Sequence, residues 1–146
     1  MPLCDYFSAP DDERAAAVLR TEGGPTRTQY ETVPLKGIDP VVVLVRLEAV
    51  MTGCGHEEAG ARPRSGHLLS DPEAGPPFVV AVTDTLRDAL AHASDDDLAR
   101  FAAQWSVTDE LRDLTPASAT DALKALATLA HHARTRTHRL YCWWSL

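Results

Sequence analysis

A chain of 146 residues that is 45% hydrophobic and 24% charged fits one globular domain and can bury a core without staples. Its net charge of -7 at pH 7 excludes a general nucleic-acid binder, which needs a basic face against phosphates, and favours at most a basic partner. Three cysteines without paired spacing read as thiols of a reducing cytoplasm.

The start, MPLCDYFSAPDDER, has no basic segment followed by an apolar run, so no signal peptide is expected. Residues 3–7 (LCDYF) form a first strand candidate. Ser8 then precedes APDDERAAAVLR, where Pro10 and three acidic residues suit the opening turn of a helix. Gly23 and Gly24 stop that helix, and TQYETV at 28–33 is a second strand candidate. The next stretch, LKGIDPVVVLVRLEAVMTG, is ambiguous at 41–47, because VVVLV also reads as a buried strand. A helix is favoured: Asp39 and Pro40 form a cap and first turn, and Val43, Leu44, Leu47, Val50 and Met51 share one stripe. Val41, Val42 and Val45 lie off it, so such a helix would be buried on more than one side. VVVLV is far too short to cross a bilayer.

Residues 53–77 are rich in Gly, Pro and charge, with only GHLLS as a short strand, and a long irregular loop is expected there. FVVAV is the third strand candidate. Thr83 or Asp84 then opens TLRDALAHA, with Leu86, Ala89, Leu90 and Ala93 inward. Ser94 caps DDDLARFAAQW, with Leu98, Phe101, Ala102 and Trp105 inward. The three aspartates of that first turn answer the helix dipole and call for no metal. Thr115 and Pro116 open the longest helix, to about Arg134, with Ala119, Ala122, Leu123, Leu126, Leu129, Ala130 and Ala133 along one face. Without repeat or linker, the expectation is one helix-rich α+β domain over 1–146, with short strands from both chain ends in a small sheet.

Few residues suggest chemistry. In HHARTRTHR, 131–139, His131 and His132 are neighbours about 100° apart on a helix and do not converge as zinc ligands would. The arginines there suit a solvated helix C-terminus, with binding of an anion or acidic partner as the lesser alternative. In CGHEE, Cys54 and His56 could share one side of an extended segment, but Glu57 and Glu58 oppose a reactive thiolate, and no second metal-ligand pair follows. Asp88 and His92, spaced i,i+4, read as a surface pair. No nucleophile elbow, phosphate loop or dinucleotide fingerprint occurs. No cofactor or metal is expected.

The terminal HRLYCWWSL, read as a strand, puts His138, Leu140, Cys142, Trp144 and Leu146 on a core-facing side. Arg139, Tyr141, Trp143 and Ser145 form the other, an aromatic row either covered by a helix or left partly open as a binding platform. A structural role is favoured. Whether Cys4 and Cys142 are neighbours stays open.

Several of these stretches together resemble the YfbM-like bacterial family, a small single-domain group of unknown function. They are DYF (Asp5–Phe7) before the first helix, IDP (Ile38–Pro40) opening a long helix that ends in MTG (Met51–Gly53), the pair around TDTLRDAL and DDDLARF, and a last helix leading into a terminal strand. The chain looks like a divergent member. The family's helix before T-G commonly carries a tryptophan and a histidine. VVVLVRLEAV has neither, so no site residue is carried over. The resemblance implies an α+β fold and no known activity.

Two functional readings follow. One is a non-catalytic cytoplasmic interaction protein of the immunity or partner-neutralising kind, with Arg139, Tyr141 and Trp143 as contact residues. The other is a small enzyme or ligand-binding protein with its site between the 53–77 loop and the terminal strand, drawing on Cys54, His56, His67 and Tyr141. The first is preferred, mainly because catalytic motifs are absent.

Overall fold

The first and last strands lie in the middle of one sheet. The computed structural model describes residues 3–111 and 114–146. Strands β1 (Leu3–Ala9), β2 (Thr32–Pro34), β3 (Phe78–Ala81) and β4 (Arg139–Ser145) pair antiparallel in the order β2–β1–β4–β3. The β1–β4 register runs from Leu3 opposite Ser145 to Ala9 opposite Arg139. A strand flanked on both sides satisfies its backbone donors and acceptors, which holds β1 and β4 in place. Strand β2 is shorter than TQYETV suggests. The Thr28 hydroxyl donates to the Pro25 carbonyl (2.6 Å) and accepts from the Tyr30 amide (3.2 Å), and this local turn keeps 28–30 out of the ladder, which begins where the Glu31 carbonyl accepts from the Ser8 amide (3.3 Å).

The helices are α1 (Asp12–Ala16), α2 (Val43–Thr52), α3 (His56–Gly60), α4 (Asp84–His92), α5 (Asp95–Ser106) and α6 (Pro116–Thr135). The fold is α+β, as expected. Helix α1 is shorter than read from sequence and is capped by Asp11, whose carboxylate accepts from the Arg14 amide; Ser8 instead stays in β1, and a 3-10 turn replaces the helix from Ala17. The ambiguity at 41–47 resolves as a turn leading into α2. Asp39 accepts from the amides of Val41 (2.9 Å) and Val42 (2.6 Å), and the helix begins at Val43. Val41 and Val42 precede the helix and are 42% and 48% exposed, but α2 is buried on more than one side, as expected: beyond the stripe, Glu48 and Ala49 are buried too. Thr83, Ser94 and Thr115 cap α4, α5 and α6, with a full capping box between Ser94 and Asp97.

Segment 53–77 is not one irregular loop. It contains α3 and a 3-10 turn at Pro72–Ala74, and it docks on the edge of β3 through Ala81 N–H to the His67 carbonyl and Leu69 N–H to the Val79 carbonyl, both 2.8 Å. That docking covers a strand edge otherwise open to pairing.

The sheet is buried on both faces. On one, Cys4, Tyr6, Leu140 and Cys142 pack under the inward faces of α2, α4, α5 and α6, with Leu86, Leu90, Leu123 and Leu126 among them. On the other, Phe7, Ala9, Val79, Ala81 and Tyr141 lie beneath Ala15 and Val18, with Tyr30, Leu69 and Trp143 at the margin. Cys4 and Cys142 are neighbours whose thiols hydrogen-bond across the strands; burial pushes the Cys142 thiol well up. No helix among the described residues is long and apolar enough to cross a membrane.

The aromatic row of the tail is therefore covered. Gly24, with φ +79, lies against the Trp143 indole, and an added Cβ would sit 2.8 Å from its ring carbons. Gly24→Ala combines a left-handed backbone with this overlap and is expected to cost on the order of 2 kcal/mol. A shift in urea midpoint at unchanged slope is the check; no shift would mean the indole is free to move aside.

Candidate functional site

The residues singled out in the sequence do not assemble into one site. Cys54 is half-buried, with Thr52 Oγ1 at 3.3 Å and Arg62 Nη2 at 3.5 Å. His56 is exposed and its Nδ1 contacts Arg46 Nη1 (2.8 Å), while His67 is exposed and fixed only through its backbone. Tyr141 is fully buried, so it offers no contact surface, and Trp143 is half-buried beneath Gly24. Arg139 lies 3.5 Å from the Asp84 carboxylate.

The 53–77 segment does meet the terminal strand, as a clasp. The Tyr141 hydroxyl donates to Asp12 Oδ1 (2.7 Å), and Arg64 Nη1 donates to the same carboxylate (3.0 and 3.1 Å) while its guanidinium lies over the Tyr141 ring. Burial alone would push the Asp12 carboxyl up, but Tyr141 and Arg64 outweigh it and hold it below the usual range. The cluster ties three chain segments together through Arg64 Nη1, while Nε and Nη2 of the same guanidinium are buried without a partner among the described residues.

The basic end of α6 is likewise largely paired. His132 Nδ1 meets Glu31 (2.7 Å), Arg134 meets Asp88 (3.0 Å), and Arg136 lies 3.7 Å from Glu31. His92 contacts the backbone carbonyl of Asp88 rather than its carboxylate, which serves Arg87 and Arg134. The helix end is solvated, as read from the sequence, and its exposed basic side chains also pair with acidic groups of other segments.

A cleft of about 560 Å³ opens beside this helix end, lined by Ser8, Arg14, Tyr30, Glu31, Arg136 and His138, with Pro10 and Gln29 at its border. Ser8 alternates onto the face of Cys4 and Tyr6 and stands opposite Leu140. His138, two residues before Leu140, is its diagonal neighbour across the strands. The turn that delivers His138 is a Schellman closure: His138 N–H donates to the Ala133 carbonyl (2.7 Å) and Thr137 N–H to that of Arg134 (3.1 Å). Thr137 takes the left-handed position at φ 58, where a β-branched residue costs about 1–2 kcal/mol. Arg87 also donates to the His138 carbonyl (2.9 Å), so the backbone beneath the ring is fixed from two sides.

Ser8 is 1% exposed, yet its Oγ has no hydrogen-bond partner among the described residues, and neither has the buried Nδ1 of His138. Buried polar atoms are normally paired; unpartnered ones also occur at Arg64, Ser70, Asp84 and Trp144 among the described residues, and those of Ser8 and His138 are the two on residues that line this cleft. Arg14, also in the lining, makes no ion pair among the described residues. Burial first, then the guanidinium groups of Arg136 and Arg14, hold His138 below the ordinary histidine range.

A lowered histidine makes stability fall in acid. The unfolded chain takes up its proton near pH 6.5 while the native ring still resists, so the contribution is complete above about 6.5 and declines below it until the native ring protonates. The His138 ring signal is expected to titrate below 6.5 by NMR. A midpoint at or above that value would mean the arginines do not face it.

Among the described residues no group of three or more His, Cys, Asp or Glu could hold a metal ion. Compared with known proteins, the chain matches no family model, no curated protein and no solved structure. Sequence reasoning missed Ser8, Arg14, Tyr30 and Glu31 as site residues and placed His138 in the core. One signal was available: a serine at the third position of the alternation Cys4, Tyr6, Ser8 is a polar group on an apolar face.

Proposed function

We propose that this protein is a non-catalytic binding module that takes up a small acidic ligand in the cleft between β1, α1 and the end of α6. One observation carries the reading: Ser8 and His138, whose buried Oγ and Nδ1 lack partners among the described residues, line one cleft together with Arg14 and Arg136. An oxyanion supplies an acceptor for the Ser8 hydroxyl, and for the imidazole in its Nδ1–H tautomer, and a charge for both arginines. Ser8 and His138 are not hydrogen-bonded to each other, so no nucleophile–base pair is in place. This moves the ligand-binding reading away from the 53–77 segment. It takes the place of the tail-mediated protein contact, because Tyr141 is sealed in the core. Likeness to the YfbM-like family adds no activity to this proposal.

Calorimetric titration with inorganic phosphate, sulfate and acetate tests it, on the native protein and on Arg14→Ala, an exposed position whose loss should leave the fold intact. Saturable binding of at least one anion, weakened about tenfold or more by Arg14→Ala, is expected. Absence of binding by all three, or binding indifferent to the substitution, would defeat it.

A further inference from the structure

The geometry points to a narrower ligand class: we infer that the cleft is built for the dianionic phosphate group of a small phosphate monoester. The inference rests on the anion-binding reading above and specifies its occupant.

Three features separate a phosphate from a carboxylate here. The groups around the cleft come from four separate places in the chain: Ser8 on β1, Arg14 on α1, Arg136 at the C-cap of α6 and His138 beyond it. A carboxylate has two oxygens in one plane and is saturated by a single guanidinium fork, whereas a monoester phosphate turns three oxygens in different directions. Charge gives the second feature. Glu31 is the acid in the lining, and its shortest contact is with His132 (2.7 Å), Arg136 standing further away at 3.7 Å. Arg14 is not neutralised by an ion pair within the described chain, so the cleft keeps a surplus of positive charge that suits the roughly −1.5 to −2 of a monoester near neutral pH. Size is the third. About 560 Å³ exceeds the needs of a bare ion and lies in the range of sites for small organic molecules. Tyr30, Pro10 and Gln29 would flank the organic body.

The occupied cleft has a consequence at His138. His138 shares the cleft lining with Arg14 from α1, Arg136 from the end of α6 and Glu31 from the segment before β2, while Arg87 of α4 holds its carbonyl. A dianion between the arginines offsets their repulsion of the imidazolium, so phosphate should raise the histidine's titration midpoint and binding should take up protons. A purely structural histidine would show neither change.

Methyl phosphate, methyl sulfate and acetate separate the possibilities, titrated by calorimetry at pH 7.5 while the His138 ring is followed by NMR. Methyl sulfate keeps the tetrahedral ester but carries a single charge, and acetate keeps the single charge without the shape. Methyl phosphate is expected to bind at least tenfold more tightly than either, to raise the His138 midpoint, and to lose most of that advantage in Arg14→Ala. Equal binding of acetate or methyl sulfate would overturn the phosphate assignment and leave the anion-binding reading standing. Binding of none would remove both.

Discussion

Trp105→Ala is expected to destabilise the protein by about 3–5 kcal/mol, the range for emptying a fully buried aromatic site. The indole is completely buried between α5 and the start of α2, and its Nε1–H donates to the Val43 carbonyl (3.2 Å). Truncation loses the transfer free energy of the ring, leaves a void that close-packed neighbours fill only in part, and removes the one polar tie between these helices at that point. Against a total stability of about 5–15 kcal/mol for a domain, such a loss brings the protein near its unfolding threshold. Trp105→Phe keeps most of the area and should cost about 1–2 kcal/mol. Urea denaturation followed by circular dichroism gives both values. A cost below about 1 kcal/mol for the alanine variant would place the indole outside the core.

Arg62→Ala comes next, at about 3 kcal/mol. Glu48 is 2% exposed and divides its carboxylate between the Thr83 hydroxyl and Arg62 Nη1, the latter at 2.8 Å. Removing Arg62 strands a buried charge with one hydroxyl for company. The figure sits at the lower end for broken buried pairs because the Arg62 side chain is itself 22% exposed, so water can reach the gap. The same guanidinium reaches Thr52 and Cys54, so the segment after α2 should also loosen, visible as faster amide exchange around α3. Replacing both partners by methionine should recover most of the loss, since no unpaired charge is then left inside. A double variant as unstable as Arg62→Ala would show that the cost lies in packing rather than charge.

These two cases divide cleanly in what the sequence discloses. Trp105 was legible: the cap at Ser94 and the spacing of Leu98, Ala102 and Trp105 are local, and local chemistry fixes both where α5 starts and which side it buries. The Glu48–Arg62 pair was not. Glu48 sits in VVVLVRLEAV as an ordinary helix former, and the partner that makes its burial tolerable is 14 residues away in a stretch that reads as loop. The order of that stretch comes from such distant ties, Arg64 to Asp12 being 52 residues apart, and no periodicity records them.

The cleft follows the same rule. HHARTRTHR announces a concentration of positive charge, and its position after a long helix announces a C-terminus. Which of its members are neutralised and which remain available depends on Glu31 and Asp88, brought in from other elements.

By itself, then, the sequence determined the helix starts at Ser94 and Thr115, that of α4 to within Thr83 or Asp84, the inward stripes, the terminal strands and the α+β class, because capping, turn chemistry and hydrophobic period act over a few residues. Tertiary structure alone decided that the final strand lies in the middle of the sheet with both faces covered, that Tyr141 is sealed inside, and that Ser8, Arg14, Arg136 and His138 border one space. Strand partners and desolvation are set by which distant segments meet, and a pattern read along one segment carries no record of the surface that will cover it.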